Sequence, residues 1–137
     1  MDNWVVGTLL DFKISASQEA EADAVIETKN GQKIKCFVDY FSIQKMKKFK
    51  LDSNIKVFLG LVCFQIEKSK EGKKAIVDIR KNARGVNQYK LSGQVIHSSE
   101  NKIVLDCGFP IEVTVYEKNI ASGAWIEATG RIDLYLV

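Results

Sequence analysis

Along most of this chain, apolar residues either alternate with polar ones at period two or run on through β-branched and aromatic side chains, the pattern of half-buried and buried β-strands. It predicts strands over residues 4–14, 22–29, 32–39, 54–67 and 74–80, then a second series over 89–98, 102–107, 110–116 and 124–136. Asn30-Gly31 between two strands predicts a type I′ hairpin, whose two central positions both need positive φ. Glu71-Gly72 and Cys107-Gly108-Phe109-Pro110 mark two further turns. One stretch, between the third and fourth strands, reads as a short helix. Ser42 is its cap, Ile43, Met46 and Phe49 share one face, and Lys45, Lys47, Lys48 and Lys50 point mostly outward.

Parity along the strands sorts the side chains. In the third strand Ile34, Cys36 and Val38 form an inward set, which leaves Lys33, Lys35 and Phe37 outward. The fourth strand is apolar on both parities and is expected to be buried on both sides, between the two halves of the chain or at an oligomer interface. In the final strand Ile126, Ala128, Gly130, Ile132, Leu134 and Leu136 face inward. Trp125, Arg131 and Tyr135 face outward with charges of both signs, a mixture common where proteins meet. As a terminal strand it is expected at a sheet edge, open to a partner protein or a second copy. The sole histidine, His97, shares the parity of Leu91, Gly93 and Val95 and is expected to be partly buried.

The two series resemble one another, with Gly7 and Gly93 in their first strands, Tyr40 and Tyr116 ending their third, and Gly60 and Gly130 in their long strands. The spacing differs, as if a second copy had lost the helix. The division expected is residues 1–85 and a smaller β unit, 86–137, docked on the first.

A hydrophobic content of 46% is enough to fill a core. The apolar stretch at the start is too short to span a bilayer before Asp11, and no basic region precedes it. Cys36, Cys63 and Cys107 have no paired spacing and read as reduced core thiols, which places the protein in the cytoplasm. The net charge of +3 conceals a cluster, for residues 45–84 hold 12 Lys and Arg against 4 Asp and Glu. That stretch should carry a positive field.

Across residues 4–80, the order strand, strand, strand, helix, strand, strand resembles the OB-fold, a five-stranded Greek-key barrel with its helix between the third and fourth strands. The likeness is one of topology, and residues 89–136 look like a reduced version of the same barrel. The resemblance implies oligonucleotide or oligosaccharide binding across the second and third strands. Phe37 between Lys33 and Lys35 suits a stacked base flanked by phosphates, with Lys45, Lys47, Lys48, Lys68, Lys70, Lys73, Lys74, Arg80 and Arg84 as further phosphate contacts. The loop at 17–23, with Glu19, Glu21 and Asp23, opposes that reading, and either turns aside to cover the free protein or binds a basic partner.

No G-x-S-x-G, H-E-x-x-H, Walker A or G-x-G-x-x-G motif occurs, and a single histidine builds no His-based metal cluster. The expectation is therefore an all-β, non-enzymatic protein without cofactor or metal. Its first function is binding single-stranded nucleic acid; the alternative is a protein-interaction module.

Overall fold

A computed structural model describes residues 3–14, 21–81, 87–116 and 120–136. The strands are β1 (Trp4–Ile14), β2 (Glu21–Glu27), β3 (Lys33–Asp39), β4 (Asn54–Lys68), β5 (Ala75–Lys81), β6 (Asn87–Ser98), β7 (Lys102–Asp106), β8 (Pro110–Thr114) and β9 (Trp125–Leu136), with α1 (Tyr40–Met46) between β3 and β4. The fold is all-β, as the alternation predicts, and OB-like, as the order of the elements implies.

Which strands close the barrel differs from expectation. β1, β2, β3, β9 and β4 form the first ring, in which β9 lies parallel to β3 and antiparallel to β4, and β4 returns to β1. The strand expected to be fifth, β5, pairs only with β6. The second ring runs β6, β7, β8, β4, β9 and back to β6, with β4 parallel to β8. Each long strand thus serves both barrels along its length. β4 pairs with β1 over Asn54–Phe58 and meets β8 at Gly60 and Leu61; β9 pairs with β6 over Trp125–Gly130 and meets β3 at Asp133 and Leu134.

The exchange has an internal two-fold symmetry. Ile55 lies opposite Gly7, and Ile126 opposite Gly93. The same offset carries Leu61 onto Ile132, and these two are themselves ladder partners. The pseudo-axis therefore passes through the β4–β9 pairing, and a single core spans both barrels, with Leu9, Ile34, Leu59, Leu91, Ile111 and Leu134 among its fully buried members.

Local chemistry moves several expected features. The helix starts earlier than Ser42: the Asp39 carboxylate accepts from the Ser42 N–H at 2.9 Å, so Asp39 is the cap and Ser42 is buried within the first turn. Ile43 and Met46 are buried but Phe49 is not. The Asn30-Gly31 hairpin is not type I′, because only Gly31 has positive φ. Gly31 N–H donates to the Thr28 carbonyl and Thr28 N–H to the Gln32 carbonyl, each at 2.9 Å. That is a three-residue loop, a type I turn closed by a left-handed glycine.

Bulges reset parity elsewhere. The register slips between Val95 and His97, which turns His97 out to solvent. A second slip between Cys63 and Gln65 leaves Phe64 bulged and 62% exposed. β4 is buried on one face only, since Phe58 and Val62 are also exposed. Cys63 is half-buried, with its thiol donating to the Gln65 carbonyl at 3.3 Å, whereas Cys36 and Cys107 are core residues as expected. Burial raises all three thiol pKa values, that of Cys107 to about 12. Finally, β9 is no edge strand but has three neighbours, β3, β4 and β6.

The crossover leaves no room at Gly130, where a Cβ would lie 2.1 Å from the Val62 carbonyl oxygen. Gly130→Ala should therefore destabilise the protein by about 1–3 kcal/mol or more, as overpacking in a closed core does. A lower midpoint of urea unfolding checks it, and Gly31→Ala, where a Cβ meets nothing within 4 Å, should cost only the backbone strain of positive φ.

Candidate functional site

On β3 the inward set Ile34, Cys36 and Val38 is fully buried, so Phe37 does face outward. It is not an open platform for a base. The Arg131 guanidinium lies 4.1 Å from its ring centroid, and Arg131 Nε and Nη2 donate to the two Asp133 carboxylate oxygens at 2.7 and 3.0 Å. Asp133 is 7% exposed. Burial raises its pKa most strongly and Asp39 adds to this, against the lowering effect of Arg131 and Tyr135. Asp23 sits opposite Phe37 on β2. The face over Phe37 is thus a closed cation–π and ion-pair cluster.

The expected phosphate contacts are spread over different parts of the molecule. Lys33 is exposed on β3, while Lys35 is half-buried and its backbone N–H donates to the Tyr89 hydroxyl at 2.8 Å. Lys45 lies in α1, with Lys47 and Lys48 just beyond it, on the first barrel. Lys68, Lys70, Lys73 and Lys74 lie where β4 runs into β5, beside the second barrel: Ser69 N–H donates to the Trp125 carbonyl, and Lys74 pairs with Asp106 at 2.7 Å. Arg80 lies on β5, and its side chain is outside the described residues, as are Arg84 and Glu19. No single groove collects these cations.

The outward side chains of β9 differ from one another too. Trp125 is half-buried, Arg131 is committed to Phe37 and Asp133, and only Tyr135 is exposed. With β9 interior to the sheet, the expected edge-strand interface at Trp125, Arg131 and Tyr135 is not formed. Among the described residues no group of three or more His, Cys, Asp or Glu is placed to hold a metal ion, and no helix is long and apolar enough to cross a membrane.

Two clefts remain. One, of about 290 Å³, runs over the middle of β4 between Phe58, Val62, Tyr116 and Tyr135; its cation, Lys102, is paired with Glu112 at 2.9 Å. The other, of about 360 Å³, lies between the β2–β3 loop of the first barrel and the β7–β8 turn of the second, with Trp4, Val6, Lys29, Asn30, Gly108 and Phe109 on its walls. There the Thr28 hydroxyl donates to Asn30 Oδ1, which leaves the Asn30 amide nitrogen toward Gly108, 3.6 Å from where a Cβ there would be. Lys56 stands 3.5 Å from the centroid of the Trp4 ring. Among the described residues, neither Lys29 nor Lys56 has a carboxylate within ion-pair distance. Neither cation is among the residues expected to form a site. Their signal in the sequence is slight, a lysine inside a hairpin loop and another at a strand start.

No protein-family model matches the chain, and no curated protein matches it in sequence. Among solved structures it is similar to a crystal form of the cytoplasmic molybdate-binding protein ModG with molybdate bound, with a TM-score of 0.53 and 18% identity over 98% of this chain and 96% of that one. The likeness extends to both barrels, and ModG is a molybdate-binding protein. Together with the covered Phe37 and the dispersed lysines, it corrects the expectation of single-stranded nucleic acid. The interior position of β9 removes the open sheet edge on which a protein-interaction module was expected to draw.

The second cleft's β7–β8 turn is held by Asp106, which accepts from Lys74 Nζ at 2.7 Å and from Gly108 N–H at 3.0 Å. Burial pushes its pKa up, but these contacts outweigh burial and hold it below the usual carboxylate range. A carboxylate whose pKa is lowered on folding stabilises the fold above its unfolded pKa of about 3.9 and loses that contribution as pH falls through the folded value. Asp106→Asn should therefore be less stable than the parent at pH 7, and the gap should close below about pH 4, as measured by urea midpoints across pH.

Proposed function

We propose that this chain binds a small tetrahedral oxyanion of the molybdate type in the cytoplasm, reversibly and without transforming it. The observation that carries the reading is the paired, strand-sharing barrel, similar over nearly the full length of both chains to a protein crystallised with molybdate. The composition is compatible with it. A tetrahedral dianion gives up its hydration on binding and needs N–H and O–H donors and positive charge in return, and the chain carries a net +3.

Isothermal titration of the full chain with sodium molybdate, and separately with sulfate and phosphate, tests the proposal. The expected result is saturable molybdate binding with a micromolar or tighter Kd, weakened by added salt. Absence of saturation up to about 1 mM molybdate, a binding free energy of only about −4 kcal/mol, would overturn it.

A further inference from the structure

We infer that the cleft between the β2–β3 loop and the β7–β8 turn is the site that takes the tetrahedral oxyanion, with Lys29, Asn30 and Lys56 as its recognition groups; the inference rests on the oxyanion reading above. Charge decides between the clefts. Several cations on or beside strands are neutralised in place: Lys74 by Asp106, Lys90 by Glu127, Lys102 by Glu112 and Arg131 by Asp133. A dianion over the middle of β4 would meet the Glu112 carboxylate together with Lys102. At the inter-hairpin cleft the balance is reversed, because Lys29 lines it and Lys56 stands beside its Trp4 wall. Lys56 is also the ladder partner of Val6, another wall residue.

The donors there are oriented before any ligand arrives. Thr28, 6% exposed, fixes the Asn30 carboxamide by donating to its oxygen, so the amide N–H groups are what Asn30 offers toward Gly108. The acid of the β7–β8 turn is engaged elsewhere. Asp106 accepts from Lys74 and from Gly108 N–H. The cleft's 360 Å³ exceeds the roughly 120 Å³ that four water-sized oxygens occupy. Its two walls come from different barrels, so an anion held here would tie the hairpins together across the shared strands.

Trp4 gives the site its own reporter, since the other tryptophan, Trp125, lies on β9 away from this cleft. Equilibrium dialysis of the full chain with sodium molybdate, run in parallel with tryptophan emission, tests the assignment. Lys29→Gln should weaken molybdate binding by about tenfold, the loss of one charge-assisted hydrogen bond. Lys29→Arg should restore most of it, and Lys102→Gln should leave it unchanged. Trp4→Phe should lose the emission change that molybdate produces in the parent chain. Sulfate and phosphate titrations establish which oxyanion the cleft prefers. Lys29 is exposed, so an unchanged thermal melt of Lys29→Gln shows that its loss of binding is not a loss of fold.

If the parent chain binds molybdate and Lys29→Gln binds it equally well, or the emission change survives in Trp4→Phe, this site is overturned and the oxyanion reading stands. If the parent chain binds none of the three anions, the oxyanion reading itself falls.

Discussion

The antiparallel pairing of β4 with β9 is the contact on which everything else rests. It runs from Val57 opposite Leu136 to Lys68 opposite Ile126, and both barrels close through it. Closure satisfies the backbone groups of strands that would otherwise be left as open edges, and among the described strands only β5 keeps a single neighbour. The inward residues at the centre of the pairing, Leu61 and Ile132, belong equally to both halves, which is why one core extends through the molecule. The Tyr89 hydroxyl adds a second tie, taking the Lys35 N–H on the side where β3 has no ladder partner from β9 at that position.

That geometry also shapes the surface. Bringing β3, β9, β4 and β8 into one continuous sheet places oppositely charged side chains on neighbouring strands and along the same strand, and they neutralise one another in pairs such as Arg131 with Asp133 and Lys102 with Glu112. The positive field expected of residues 45–84 is dispersed, because α1 and the β4–β5 connection lie on different barrels. What survives as unpaired positive charge beside a concave surface is local and small, suited to a compact anion rather than to a polymer of phosphates.

Much of the fold was legible in the sequence, since most strands carry their own period-two pattern and the β2–β3 and β7–β8 hairpins their own glycine. β1 from Trp4 to Ile14 and β9 from Trp125 to Leu136 follow directly from it. Partner choice was not legible. β5 carries the same alternation as the strand that really closes the first barrel, and nothing local distinguishes Ala75–Lys81 from Trp125–Leu136 as the mate of β3. Parity failed wherever a bulge intervened, as at Ile96 before His97 and at Phe64 after Cys63, because an inserted residue leaves no compositional trace. The candidate site was hidden for a related reason. Lys29 and Gly108 lie far apart in the chain and meet only because two hairpins from different barrels are brought together, whereas Phe37, conspicuous between two lysines, is covered by an arginine from a strand assigned to the other half.

The sharing of β4 and β9 has a consequence for how the protein is made. The first barrel's own residues through β4 emerge from the ribosome without the strand that completes their ring, and β9 follows only after β5 to β8. Until then β3 and β4 present open backbone edges flanked by exposed Phe58, Val62 and Phe64. Both rings close only when β9 pairs, so their completion comes late and through contacts distant in sequence, a route that is slow and open to misassociation. Cellular yield should then depend on chaperone capacity during synthesis more than on the stability of the finished fold.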